Sequence, residues 1–190
     1  MAVTISGSTG IASVDGSAGS PGSRGTDANS GLFYAADAIK FATGGTERAV
    51  IDNNGLSSEG HVLQVVTDID SGQFVTNSSS WQWQGLDVSI TPSSASNKVL
   101  VMVGLAMDGQ SNQGFITLYR GTDNLGGTEG FGAAQHESRC ISGLIYLDSP
   151  SSTSAVQYRV AVRNGNNSTT IECPPWAQGK QSITAMEIAG

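Results

Sequence analysis

The hydrophobic pattern is strongest between Lys98 and Met107, in the stretch KVLVMVGLAM. It places Val99, Val101, Val103, Leu105 and Met107 on one face of an extended chain and Leu100, Met102, Gly104 and Ala106 on the other. A strand apolar on both faces needs cover on both, so this segment reads as the central strand of a sheet. Its valine content, and Pro92 and Asn97 just before it, favour a strand over a helix of the same length. Val99, Val101, Val103 and Leu105 are the residues expected in the core or at a subunit axis. Strands are also expected at Val62–Thr67, Leu86–Ile90, Gly114–Arg120, Cys140–Leu147, Ala155–Arg163, Thr169–Cys173 and Ser182–Ile188. In Ala155–Arg163, the residues Val156, Tyr158, Val160 and Val162 alternate with Gln157, Arg159 and Arg163. Asn164-Gly165 then gives a hairpin signal. About eight short strands with no helical periodicity predict an all-β fold: a jelly-roll-like β-sandwich head over 59–190.

The first 58 residues read differently. Residues 1–30 hold Val3, Ile5 and Ile11 in a Gly/Ser-rich background that buries too little to offset chain entropy, and they predict an extended N-terminal arm. Residues 31–58 predict a short hairpin or shaft segment. Ile39 and Phe41 alternate with Lys40 and Ala42, Gly44-Gly45 turns the chain, and Ala49-Val50-Ile51 pairs back. Such a hairpin is too small to stand alone in water. Two readings stay open, a connector packed on the head or an intertwined shaft made by several copies. A homotrimer is expected, because a threefold axis covers the second apolar face of Lys98–Met107. The Gly121–Ser138 stretch is a long loop expected on the surface of the head.

Composition removes several functional classes. With 16 acidic and 9 basic residues the net charge is −7, and no basic cluster exists to meet phosphates, so no nucleic-acid partner is expected. No apolar run approaches the roughly 18 residues of a membrane span, and MAVTISGSTG has neither the basic start nor the apolar core of a signal peptide. A soluble product of a cytoplasm is expected. Cys140 and Cys173 are the only cysteines, and no Cys or His stands at metal-ligand spacing from them. Two buried thiols or a disulfide between neighbouring strands both remain open.

Candidate chemistry is sparse. His61 and His136 lie far apart with no H-E-x-x-H pattern, and no nucleophile motif, P-loop or dinucleotide fingerprint occurs. Asp68-Ile69-Asp70-Ser71-Gly72 mimics the start of a calcium loop without its later acidic ligand and reads as a turn. No catalytic residue, metal or cofactor is expected, and no enzyme. Trp81 and Trp83, two apart, fall on one face of a strand between Gln82 and Gln84. Paired indoles beside amides can stack on sugars, so Trp81, Trp83 and the loop residue His136 are candidates for glycan or surface binding, with burial of the indoles as the alternative. Trp176 reads as a loop anchor.

Several segments carry a resemblance. Gly31-Leu32-Phe33-Tyr34, Asp37-Ala38-Ile39-Lys40-Phe41, Gly45-Thr46-Glu47-Arg48 and Ile51-Asp52 resemble a segment of tailed-phage fibre proteins that precedes a C-terminal head. Val62-Leu63-Gln64-Val65-Val66, Gly85 to Pro92, Leu118-Tyr119-Arg120-Gly121 and Ser182 to Ile188 resemble head domains of fibre-like proteins in marine and cyanobacterial phages. The resemblance implies a non-enzymatic homotrimeric virion protein, made in the bacterial host cytoplasm and bound to capsid or tail proteins through its N-terminus. Val3, Ile5 and Ile11 are then the residues expected to enter grooves of the virion. The shaft is one hairpin long, shorter than in the fibre pattern, which keeps open a capsid decoration (cement) role. Host-surface carbohydrate is the other partner kept open.

Overall fold

The computed structural model describes residues 15–53, 55–108, 113–135, 140–167, 169–174 and 179–190. All regular structure among them is β. In chain order the strands are β1 (Gly16–Ser17), β2 (Ser20–Pro21), β3 (Ser23–Arg24), β4 (Gly31–Ala35), β5 (Ala38–Thr43), β6 (Thr46–Asp52) and β7 (Gly55–Ser57). They continue as β8 (Val62–Asp70), β9 (Phe74–Thr76), β10 (Gln82–Ile90), β11 (Lys98–Met107), β12 (Gln113–Arg120) and β13 (Asp123–Asn124). The last are β14 (Gly132–Gln135), β15 (Cys140–Asp148), β16 (Val156–Asn164), β17 (Ile171–Cys173) and β18 (Gln181–Ile188). The chain divides into two compact units, residues 1–61 and 62–190.

The N-terminal unit is an antiparallel meander, β3-β4-β5-β6-β7, with β1 and β2 paired beside it. Thr43 pairs with Thr46 across Gly44-Gly45, whose φ of 60° and 77° give the two left-handed positions of a tight hairpin turn. Residues 15–30, expected as an extended arm, instead join this unit. Ser23 pairs with Leu32, and the Tyr34 amide donates to the Asp15 carbonyl at 2.7 Å. Main-chain hydrogen bonds hold this part where side chains are too small to do so. Val3, Ile5 and Ile11 lie outside the described residues.

The second unit is a two-sheet sandwich. One sheet has the order β15-β11-β18-β8, the other β10-β16-β12, with β13 and β14 both on the far edge of β12. Successive long strands alternate between sheets, and the two orders β8-β18-β11-β15 and β10-β16-β12-β14 are those of a jelly roll. The inward residues form one core: Val99, Val101, Val103, Leu105 and Met107 of β11 meet Leu86, Val88, Ile90, Leu118, Tyr158, Val160 and Ile183. Each fully buried aliphatic chain of this kind contributes roughly 2 kcal/mol. Val99, Val101, Val103 and Leu105 are therefore core residues of a single chain, not contacts at a subunit axis. The hairpin expected at Asn164-Gly165 does not form, because β17 pairs with β9 rather than with β16. Asn164 is buried there, its amide donating to the Thr169 carbonyl and its oxygen accepting from the Asn166 amide at 3.0 Å.

Candidate functional site

Polar groups buried between the sheets are tied to structure. Asp148 of β15 accepts from Arg120 Nη1 of β12 at 3.0 and 3.1 Å and from the Tyr158 hydroxyl of β16 at 2.7 Å, so one carboxylate joins both sheets. Burial pushes the Tyr158 hydroxyl far above its usual range, and the neighbouring Asp148 adds to this. Burial works against the charge on Arg120, but Asp148 outweighs it and holds the guanidinium above its ordinary value. At one end of β18, the Glu187 carboxylate accepts from the Ser93 amide at 2.7 Å, Ser93 Oγ at 2.8 Å and Asn97 Nδ2 at 2.6 Å, and also from Gln64 Nε2. Burial alone would raise Glu187; the donors from Gln64, Asn97 and Ser93 prevail and hold it below the ordinary carboxylate range. In both, the named donors are spent on the carboxylate and tie separate strands together, so they serve the fold.

Asp68 and Asp70 lie in β8, and their carboxylates serve backbone groups. Asp70 Oδ1 accepts from the Gly72 amide at 2.8 Å and Asp68 Oδ2 from the Asp87 amide at 3.3 Å. Among the described residues no group of three or more His, Cys, Asp or Glu could hold a metal ion. Cys173 is buried in β17, while the backbone sets Cys140 opposite Met107. His136 and Trp176 lie outside the described residues.

The outward face of β10-β16-β12 carries the aromatic candidates. Trp83 is 46% exposed. The Arg159 guanidinium lies 3.9 Å from its ring centroid, and Tyr119 meets it edge-on at 4.7 Å and 75°. Register brings these together: Tyr119 pairs with Arg159, Arg159 with Asp87, and Trp83 with Ala161 across an irregularity in β10. Trp81 is in a different setting. It precedes β10 and is half-buried, with Arg163 5.1 Å from its ring and Glu129 paired to Arg163 at 2.9 Å. The 121–131 loop folds over this part of the sheet. Asn124 receives the Thr117 hydroxyl, and Gly130, at φ 76°, packs so tightly on Trp81 and the Ile116 carbonyl that a Cβ would lie 2.8 and 2.4 Å from them.

The two indoles and two amides therefore do not form one platform. Gln84 points into the core at 2% exposure, and the Gln82 amide donates to the Trp81 and Ser80 carbonyls at 3.1 and 3.4 Å. Burial is the better description of Trp81, and only Trp83 stays open. The residues near Trp83 that sequence reasoning missed are Tyr119 and Arg159 against its ring and Asp87 in the adjacent row, with Gln157 bonded to Asp87. Their alternation shows that they face outward, but only strand register places them beside Trp83.

The outward face of β15-β11-β18-β8 has the opposite character. Its rows across the four strands are Leu147–Leu100–Met186–Val65, Ile145–Met102–Thr184–Thr67 and Gly143–Gly104–Ser182–Ile69. None of these twelve residues is charged. Ile145 is 72% and Ile69 62% exposed. The N-terminal unit has a smaller face of the same kind, with rows Tyr34–Ile39–Ile51–Leu56 and Leu32–Phe41–Ala49 and Leu56 54% exposed.

No protein-family model and no curated protein matches the sequence. Among solved structures, the chain is similar to the VP2 subviral particle of infectious bursal disease virus, at TM-score 0.41 and 7% identity over 80% of this chain and 47% of that one. The structure of the Gx strain of the same virus matches at TM-score 0.31 and 9% identity, over 80% and 46%. The chain thus spans about half the length of these structures, and likeness at this level does not extend to function.

Proposed function

We propose that this chain is a non-enzymatic virion surface protein of the tailed-phage kind, assembled as a homotrimer through the uncharged face of β15-β11-β18-β8. That face is the observation that carries the reading. From strand spacing and rise it covers roughly 400 Å² of continuous sheet, and the N-terminal face adds roughly 250 Å². A monomer rarely leaves such a patch open to water. The head face alone is about half of the ~800 Å² per partner of a stable protein interface. Copies of the same chain are the fitting occupant, because an uncharged surface meets its own kind without repulsion, whereas most other surfaces of a chain at −7 repel one another. The fibre resemblance of residues 31–58 and of the head supports the threefold count and the virion location. Attachment then falls to the residues before Asp15.

Light scattering of the full chain tests the assembly. A mass three times 19.5 kDa at micromolar concentration is expected, and a monomer or dimer overturns it. A chain lacking residues 1–14 should remain trimeric yet no longer bind particles; undiminished occupancy on virions would move attachment to the head.

A further inference from the structure

We propose that Trp83 is the floor of a saccharide-binding platform on the outward face of β10-β16-β12, and that it takes a neutral pyranose stacked on the open side of the indole. The observations are independent of the oligomer. Trp83 keeps 46% of its surface open while a guanidinium lies 3.9 Å from its ring centroid, and the open part of the indole is where a ligand would stack. Arg159 beneath and Tyr119 at the edge fix the ring before any ligand arrives, so little ordering is lost on binding.

Hydrogen-bonding groups stand beside it. Asp87 lies in the row Tyr119–Arg159–Asp87, exposed. Its Oδ1 accepts from the Gln157 amide at 3.2 Å, while among the described residues no donor is bonded to Oδ2. A carboxylate already oriented by an amide is suited to accept from a pair of sugar hydroxyls, and Gln157 offers its own oxygen as a further acceptor. Arg159 Nη2 donates to the Gly121 carbonyl at 2.7 Å, which helps to hold the guanidinium against the indole.

The chemistry selects the ligand class. A pyranose presents a C–H face about the width of one indole ring and hydroxyls at its rim, matching an apolar floor with acceptors beside it. Acidic sugars and phosphates are disfavoured, since Asp87 stands at the rim and the Arg159 charge is engaged under the indole.

The experiment uses the full-length protein on a microarray of bacterial surface polysaccharides and neutral oligosaccharides, with retained sugars followed by saturation-transfer NMR. Retention of at least one neutral pyranoside is expected, weakened tenfold or more by Trp83→Ala and by Asp87→Asn. Gln82→Ala, which touches only an amide bonded to its own loop, should leave binding unchanged. Thermal unfolding checks each variant; should Trp83→Ala fail to fold, Asp87→Asn decides. An array that retains no sugar, retention of acidic glycans alone, or binding that survives Asp87→Asn undiminished overturns the proposal.

Discussion

The two outward faces of the sandwich differ more than the two inward ones. Inside, both sheets present the same aliphatic alternation, since each must bury one face against the other. Outside, β15-β11-β18-β8 shows twelve uncharged residues in three rows, while β10-β16-β12 shows Asp87, Arg159 and Arg163 with aromatic rings stacked between them. The second face also carries its own cover. The 121–131 loop lies over Thr117, which is fully buried. Folding fixes the inward face of each sheet and leaves the outward one free, so the outward composition records what meets it. A sheet covered by its own loop and by guanidinium–aromatic stacks needs no partner. A sheet left uncharged over three successive rows, with Ile145 and Ile69 open to water, does.

The largest expected effect comes from charging the centre of the bare face. Met102→Glu sits between Ile145 and Thr184, and at an interface its carboxylate would lose its water without gaining a partner. A trimer assembled as proposed should dissociate to a folded 19.5 kDa species in light scattering, whereas Gln157→Glu on the other face should leave the mass unchanged. If both variants stay trimeric, the contrast between the faces has no bearing on assembly.

Next is the link between the sheets. Asp148→Ala leaves the Tyr158 hydroxyl and Arg120 without their shared acceptor. Urea denaturation should show a loss of about 2–3 kcal/mol, below that of a fully buried pair because Arg120 is partly exposed. Tyr158→Phe, which keeps the ion pair, should cost about 1 kcal/mol. An Asp148→Ala loss no larger than that of Tyr158→Phe would show that the ion pair adds nothing.

Glu187 gives a pH dependence. Its folded carboxyl is held below the ordinary value by Gln64, Asn97 and Ser93. The stability it contributes is therefore fully present above the unfolded value of about 4.3 and is lost as pH falls through the lower folded value. Melting temperature measured downward from pH 6 should drop more steeply in the wild type than in Glu187→Gln. Equal slopes would remove Glu187 from the acid response.

The smallest effect belongs to the charged face. Glu129→Gln removes a partner of Arg163 that is itself mostly exposed, and the melting point should change by less than about 1 kcal/mol allows. A larger loss would mean that the loop over this face depends on that pair.

Much of the fold was legible in the sequence. Period-two alternation located the long strands, and β11 was recognisable as central because Val99 to Met107 is apolar on both sides. The glycan candidate was legible only in part: Trp83 was identified, but the amides beside it turn away. What alternation cannot convey is which strand lies beside which. The Asn164-Gly165 turn looks like a hairpin locally, yet the jelly roll sends the chain on to pair with β9, and long-range pairing outweighs the local signal. Likewise the small residues of 15–30 gave no pattern, because main-chain hydrogen bonds rather than buried side chains place them. The amino-acid order alone determined the class of the fold and the inward residues, since these follow from local periodicity and composition. Tertiary structure decided the neighbours. It set Asp148 against Arg120 and Tyr158, brought Tyr119, Arg159 and Asp87 beside Trp83, and aligned Leu147, Leu100, Met186 and Val65 into one row. Cross-strand register is fixed by packing between residues far apart in the chain, and no stretch of sequence contains it.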